Sequence, residues 1–277
     1  MIDISVVIPS YNSQNYLRST LEGIAAQNFS GEFEVVLVDC SDTMEVQTIC
    51  ESFDFVRYEH VDERFTPGVG RNLGAKIARG RLLAILDSDV VLLPETLESA
   101  WQYYSRGYRV FGGALELNER VKTTVASYLE HYFYNHECQK GRPTCARDNL
   151  SSALMFIEKD LFIEQKGFKD IPRVQDTEFT ERLASSGYQL TFNPFAIGLQ
   201  IQDAPMNKVF RKVHISGRNL YYIRYKKLNL IKKIALFLLL PLLTIFKISR
   251  IVIRHLVYQS TRNRFITLLL SPLFALA

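Results

Sequence analysis

The stretch "LLAILDSDVVLLP", Leu82–Pro94, decides how this 277-residue chain is read. Apolar residues Leu82–Leu86 run straight into Asp87-Ser88-Asp89, and a second apolar run follows at once. A short apolar run bounded by turn residues predicts a strand buried on both faces, as in a parallel sheet. Two carboxylates one residue apart at the edge of a hydrophobic core are costly, because each prefers water and they repel each other. A hard divalent cation, Mg²⁺ or Mn²⁺, would remove that repulsion; it takes oxygen ligands and usually keeps phosphates and waters in its shell. The plain alternative is a solvated turn in which Asp89 caps the next segment.

The same pattern repeats towards the N-terminus. "ISVVIPS" (4–10), "FEVVLVD" (33–39) and "FVRYEH" (55–60) predict three more strands. Between them, Leu17, Leu21, Ile24 and Ala25 form a helical stripe that Ser13 or Asn15 is placed to cap. Helices are also predicted over 43–53, over "GVGRNLGAKIARG" (68–80) with Gly80 as its stop, and over 95–106. "YRVFGGAL" (108–115) is a fifth strand. Strands alternating with helices define βαβ units, an α/β fold and a mainly parallel sheet. In such sheets ligands bind beyond the carboxyl ends of the strands. Asp39 ends the second strand and Asp87 follows the fourth, so acidic groups gather where that site forms.

Beyond Leu115 the alternation weakens. A long aromatic helix is predicted over 121–136, a loop over 138–149 and a short strand over 153–157. "DTEFTERLASSG" (176–187) is an amphipathic helix with Phe179 and Leu183 inward and Gly187 as its stop. A strand over 188–197 and a basic helix over 206–227 complete the pattern.

Composition narrows the class. The 12% aromatic content argues against disorder, and 47% apolar with 22% charged residues is ordinary for a globular protein. The net charge of +4 hides an asymmetry: residues 204–277 carry 14 Lys/Arg and no Asp or Glu, which leaves 1–203 at −10. An acidic body joined to a basic, apolar tail indicates contact with a membrane surface rather than nucleic acid. Cys40, Cys50, Cys138 and Cys145 show no C-x-x-C or zinc spacing and are read as free thiols in a reducing cytosol. No signal-peptide pattern precedes the first strand. The five histidines show no metal spacing, and neither G-x-G-x-x-G nor a P-loop is present.

Further candidates stand near the strand ends. Asp39 is placed to accept hydrogen bonds from a ribose or base, or to close a turn with Ser41 and Asp42. Arg71, with Asn72, opens a helix and suits a phosphate or base edge; the alternative is an ordinary ion pair. Asp176 begins a helix, as a plain N-cap or as a general base. Glu178, two residues on, cannot share its helix face.

Together, "VVIPSYN", "VVLVDCSDT", "GVGRNLGAKIARGRLLAILDSDVVLLP" and "VQDTEFTERLASSGY" resemble, in order and near spacing, the family 2 glycosyltransferases of the GT-A fold over about residues 3–200. The resemblance implies a nucleotide-diphosphate sugar donor, a divalent metal and inversion at the anomeric centre. It implies that Pro9 and Tyr11 line the nucleotide pocket, with Asp39 on the base or ribose and Arg71 on the nucleotide. Asp87 would meet the ribose or phosphate, Asp89 the metal, and Asp176 would be the general base. The chain departs from the family pattern at Cys40 and Gln175, where acids are usual, in "LSSALMFIEKD", which lacks a usual Asn and Arg, and at Gln202, where a His is common. The alternative function is a catalytically degenerate GT-A domain that binds nucleotide or a partner.

The expected organisation is a glycosyltransferase domain over 1–203, split into a nucleotide-binding half (1–115) and an acceptor half (116–203), followed by a membrane-associating tail over 204–277. "IALFLLLPLLTIF" (234–246) is a 13-residue run without charge, against about 20 for a span. Basic residues flank it on both sides. The expectation is a re-entrant or interfacial pair of helices bent at Pro241, with "FITLLLSPLFALA" (265–277) as the second arm. Such a tail would sit at the cytoplasmic face of the membrane and suit a lipid-linked acceptor, alongside a saccharide one.

Overall fold

The computed structural model describes residues 2–258 together with 266 and 269. In chain order the elements are β1 (Ile4–Ser10), α1 (Leu17–Ala25), β2 (Phe33–Asp39), α2 (Glu45–Cys50), β3 (Val56–His60), α3 (Pro67–Ile77), β4 (Leu82–Leu86) and β5 (Val90–Leu92). Then come α4 (Thr96–Ser105), β6 (Val110–Leu117), α5 (Val125–Asn135), β7 (Cys145–Arg147), β8 (Leu154–Glu158), α6 (Lys159–Glu164) and α7 (Gln175–Ser185). β9 (Leu190–Gln200), α8 (Met206–Arg224) and α9 (Leu230–Tyr258) complete the described chain.

The strands form one sheet in the order β3-β2-β1-β4-β8-β6-β9-β5, with β7 also on β9. From β3 to β4 every pairing is parallel. Beyond β4 the sheet is mixed: β8 runs antiparallel to β4 and β6, while β6 and β9 are parallel. Period-2 alternation sorts β1 between two cores. Ile4, Val6 and Ile8 pack with Leu17, Leu21, Leu97 and Ala100 of α1 and α4. Val7 packs on the other face with Val36, Val38, Ala75, Phe179 and Leu183. The predicted inward pair of α7, Phe179 and Leu183, is thus fully buried.

Gly80 is indispensable for a reason other than the predicted helix stop. Helix α3 already ends at Ile77, and a Cβ at Gly80 would lie 2.5 Å from the Ser5 backbone nitrogen. Gly80 also donates its N–H to Ser5 Oγ at 2.7 Å. Backbone cannot yield as a side-chain tip can, so Gly80→Ala is expected to lower unfolding free energy by about 1–3 kcal/mol in a denaturant titration.

Several boundaries differ from expectation. Neither Ser13 nor Asn15 caps α1 through its side chain; Ser13 Oγ bonds Ser10 Oγ at 2.6 Å. The run after Asp89 is an edge strand, β5, which depends on distant pairing with Gly198–Gln200. Strand β9 continues past Pro194 because a register shift between Gly113 and Ala114 skips the proline segment. Helix α5 starts at Val125 rather than 121, where Thr124 and Ser127 form a reciprocal capping box.

In the tail, α9 runs through Pro241 as one 29-residue helix, and its most apolar 18-residue window has a mean hydropathy of 2.2. Proline removes one backbone donor, but uninterrupted helix-forming apolar residues on both sides carry the helix across. By length and composition α9 is long enough to cross a membrane. The expected second arm, 265–277, lies outside the described residues apart from 266 and 269. Phe237, Leu238, Leu242, Ile245 and Phe246 are exposed on α9, whereas Ile251 and His255 are fully buried. Val209 of α8 and Ile251 of α9 join Leu117, Leu129 and Tyr132 in a third core cluster, so α8 and the end of α9 pack on the body.

Candidate active site

Backbone hydrogen bonds fix the Asp87-Ser88-Asp89 turn at the carboxyl end of β4. The Asp87 N–H donates to Ala153 O at 3.2 Å, and the Ile201 N–H donates to Asp89 O at 2.8 Å. The Thr20 hydroxyl donates to Ser88 O at 2.9 Å. With the backbone committed, the two carboxylates face a cleft of about 1140 Å³ that Pro9, Tyr11, Arg71 and Asp176 also line.

Arg71 sits on α3, started by Pro67 at a helix N-terminal position. Its guanidinium is almost fully buried and ion-paired with Asp87. The ordinary alternative considered for Arg71, a pairing at the surface, is therefore half right: the pair exists, but inside. Arg71 Nε and Nη1 are buried without an acceptor among the described residues. Asn72 has a different task, clamping Phe168 through bonds of 2.8 and 2.9 Å to its carbonyl and N–H.

Asp89 is the less satisfied acid. Its Oδ1 is buried without a partner. Burial first, then the Asp87 charge, pushes its carboxyl up to about 7, against a hydrogen bond from Gln200. Around it stands a polar group that the sequence reading missed. Asn135 Nδ2 donates to Gln200 Oε1 at 2.9 Å and lies 3.0 Å from His131 Nδ1. Lys212 Nζ donates to Glu130 Oε1 at 2.6 Å. The available signal was Glu130, His131 and Asn135 inside an aromatic helix, the last two at i, i+4 spacing. Burial pushes His131 down to about 3, consistent with a neutral structural histidine.

Asp176 lies in the first turn of α7 on the same cleft. It accepts from the Thr177 N–H at 2.8 Å and the Ser152 N–H at 3.3 Å. Burial raises its carboxyl above the ordinary range, with Asp87 adding to the rise; the two N–H bonds and Arg71 oppose it. Val174, just ahead, has φ +59°, a left-handed conformation that a β-branched residue adopts only under constraint. Strain of this kind concentrates at functional sites. Glu178 is excluded from the same role: despite its burial, Arg182 and Lys169 hold its carboxyl low through contacts of 3.0 and 2.7 Å.

Asp39 is placed differently from the others. It ends β2, fully buried, and does not line the cleft. Its carboxylate accepts from Ser41 Oγ at 2.7 Å and from Tyr58 OH at 3.1 Å. Tyr11 is partly exposed, and the Arg64 guanidinium stacks 4.1 Å from its ring centre. All four cysteines are free.

The mixed sheet places acids at its strand ends, and comparison with known proteins gives the class. Residues 5–161, more than half of the chain, match the family described as glycosyl transferase family 2, and the chain belongs to that family. Among curated relatives, the poly(ribitol-phosphate) β-N-acetylglucosaminyltransferase TarS of Staphylococcus aureus is 36% identical over 36% of this chain and 18% of its own length. The minor teichoic acid biosynthesis protein GgaA of Bacillus subtilis is 28% identical over 59% of this chain and 42% of its own. The chain thus spans less than half the length of either. The crystal structure of Staphylococcus aureus TarS 1–349 in complex with UDP-GlcNAc aligns with TM-score 0.56 and 17% identity, covering 93% of this chain and 74% of that one. That likeness speaks to the fold, which is the GT-A arrangement expected.

Proposed function

We propose that the protein transfers a sugar from a nucleotide-diphosphate donor to an acceptor hydroxyl or phosphate, with inversion, in surface polysaccharide or glycolipid synthesis at the cytoplasmic face of a membrane. One observation carries this reading: Arg71, Asp87 and Asp89 line a single cleft with Asp176, which comes from a motif about 90 residues further along the chain. The printed names of TarS and GgaA, which concern teichoic acid polymers, support the polysaccharide setting. The exposed apolar stretch of α9 supports membrane association.

The residues suit a divalent cation. Asp89 Oδ1 is a buried, unpartnered hard donor next to Asp87. Among the described residues no three His, Cys, Asp or Glu side chains group as a metal site, so donor phosphates and water would complete the shell. When bound, Mn²⁺ or Mg²⁺ supplies charge neutralisation to the departing diphosphate. Arg71 holds Asp87 and brings its positive charge to the cleft wall, where a phosphate would be attracted. Pro9 and Tyr11 flank the nucleotide. Asp176 takes the proton of an acceptor hydroxyl.

A thermal-shift panel of nucleotide sugars with and without Mn²⁺ tests the reading. At about 100 times its Kd, the right donor adds about 2.7 kcal/mol and moves Tm by roughly 5 °C, only when Mn²⁺ is present. A panel in which no nucleotide moves Tm sinks it. The second reading, a binding module without turnover, is favoured by Gln175 at a usually acidic position. It expects the same shift but neither transfer nor donor hydrolysis.

A further inference from the structure

The far half of the cleft has a different character from the donor half. Six cations line it: Arg173 before α7, Lys212, Arg218 and Arg224 on α8, and Lys247 and Arg250 on α9. Three are answered by carboxylates: Lys212 by Glu130 at 2.6 Å, Arg250 by Glu137 at 3.2 Å, and Arg224 by Glu181. Arg173, Arg218 and Lys247 have no carboxylate partner among the described residues. Lys247 Nζ instead lies 3.8 Å over the Phe133 ring. A concave wall with unanswered positive charge raises the local concentration of anions, and guanidinium groups match phosphate oxygens in geometry.

Apolar surface adjoins the same charges. Leu240, Ile248 and Ile251 of α9 also line the cleft. On its remaining surface α9 exposes Phe237, Leu238 and Leu242, each 64% or more accessible. One helix therefore offers apolar surface outward and both charge and apolar side chains inward. A soluble sugar needs neither; a molecule with an anionic head and a hydrocarbon tail matches both.

We propose that this half of the cleft binds the phosphate of a lipid-phosphate acceptor on Arg173, Arg218 and Lys247, with the hydrocarbon chain lying along the Leu240–Ile251 face of α9. The assignment rests on the glycosyltransferase reading, because it makes the second half of the same cleft the acceptor side. A soluble anion or a phosphodiester polymer presents the same phosphate, but the apolar lining by Leu240, Ile248 and Ile251 favours the lipid.

The test is calorimetric binding to the full chain in detergent micelles. The probes are a short-chain isoprenyl monophosphate, the matching isoprenyl alcohol, inorganic phosphate, a soluble polyol phosphodiester polymer and a nucleoside diphosphate with Mn²⁺. The monophosphate is expected to bind more tightly than the alcohol, inorganic phosphate or the polymer. The Arg173→Gln/Arg218→Gln/Lys247→Gln variant is expected to weaken it by about tenfold or more, the scale of lost charged hydrogen bonds. The conservative Arg173→Lys/Arg218→Lys variant should regain most of the affinity, which separates charge from folding. Equal binding of alcohol and monophosphate, unchanged binding by the neutral variant, or tighter binding of inorganic phosphate or the polymer would each overturn the assignment. Nucleoside diphosphate binding without lipid-phosphate binding removes this subsite alone. Loss of both removes the glycosyltransferase reading itself.

Discussion

Asp176→Asn is expected to reduce the transfer rate by about 10²–10⁴, the range for a positioned general base, while leaving nucleotide binding in place. The substitution keeps the shape of the side chain and removes only its capacity to take a proton. The raised carboxyl of Asp176 has two consequences with defined signs. As a base it works only above its folded pKa, so the acid limb of wild-type activity should fall at a pH above the ordinary Asp value of 3.8. As a buried charge it opposes folding: an acid raised in the folded state binds protons more readily folded than unfolded, so this contribution to stability grows as pH falls. At neutral pH the Asn variant should therefore unfold at the same or a higher temperature than wild type. An inactive variant with lowered Tm would point to misfolding, and an active one would refute the base.

Much of this site was legible because one local signal produced it. Buried β-branched strands ending in Asp39 and Asp87 define where a parallel sheet opens, and both acids stand at strand ends in the structure. Arg71 and Asp176 were legible as helix-start residues, and both helices deliver them to the same cleft. What could not be read locally depends on distant partners. Strand β5 exists through β9, 100 or so residues later by the spacing of its ladder. Asp39 was legible at its strand end and in its turn with Ser41, but the bond it accepts from Tyr58 on β3 was not. The Glu130–Lys212 and Asn135–Gln200 contacts join α5 to α8 and β9, a meeting that no periodicity announces. In the tail, the apolar sequence on both sides of Pro241 sustains one helix, while the expected second arm lies outside the described residues apart from 266 and 269.

Glu137→Gln is expected to destabilise the protein by about 1–3 kcal/mol, because removing one partner from a half-buried ionic cluster leaves the others uncompensated. Glu137 accepts from Arg147 at 2.8 Å, lies 3.2 Å from Arg250, and pairs with Arg254; His136 stands 3.7 Å away. Against the cost of its own burial, Arg147 and then Arg254 hold the Glu137 carboxyl down at about 2. By sign, such a group contributes stability in full above its ordinary value of 4.5, and that contribution disappears as pH falls through about 2. The Gln variant should thus differ most from wild type near neutrality and converge with it in strong acid. Denaturant titration in detergent at several pH values measures this, and a constant difference across pH would reject the ionic origin. The cluster has a functional position as well. Arg250 and Arg254 anchor the end of α9, where Arg142 also stacks 5.0 Å from Tyr258. Since Lys247 and Ile251 of that segment line the cleft, loss of the anchor should loosen the acceptor wall while sparing the donor half built on β4 and α3. Increased protease cleavage around α9, with nucleotide binding retained, is the expected signature of that separation.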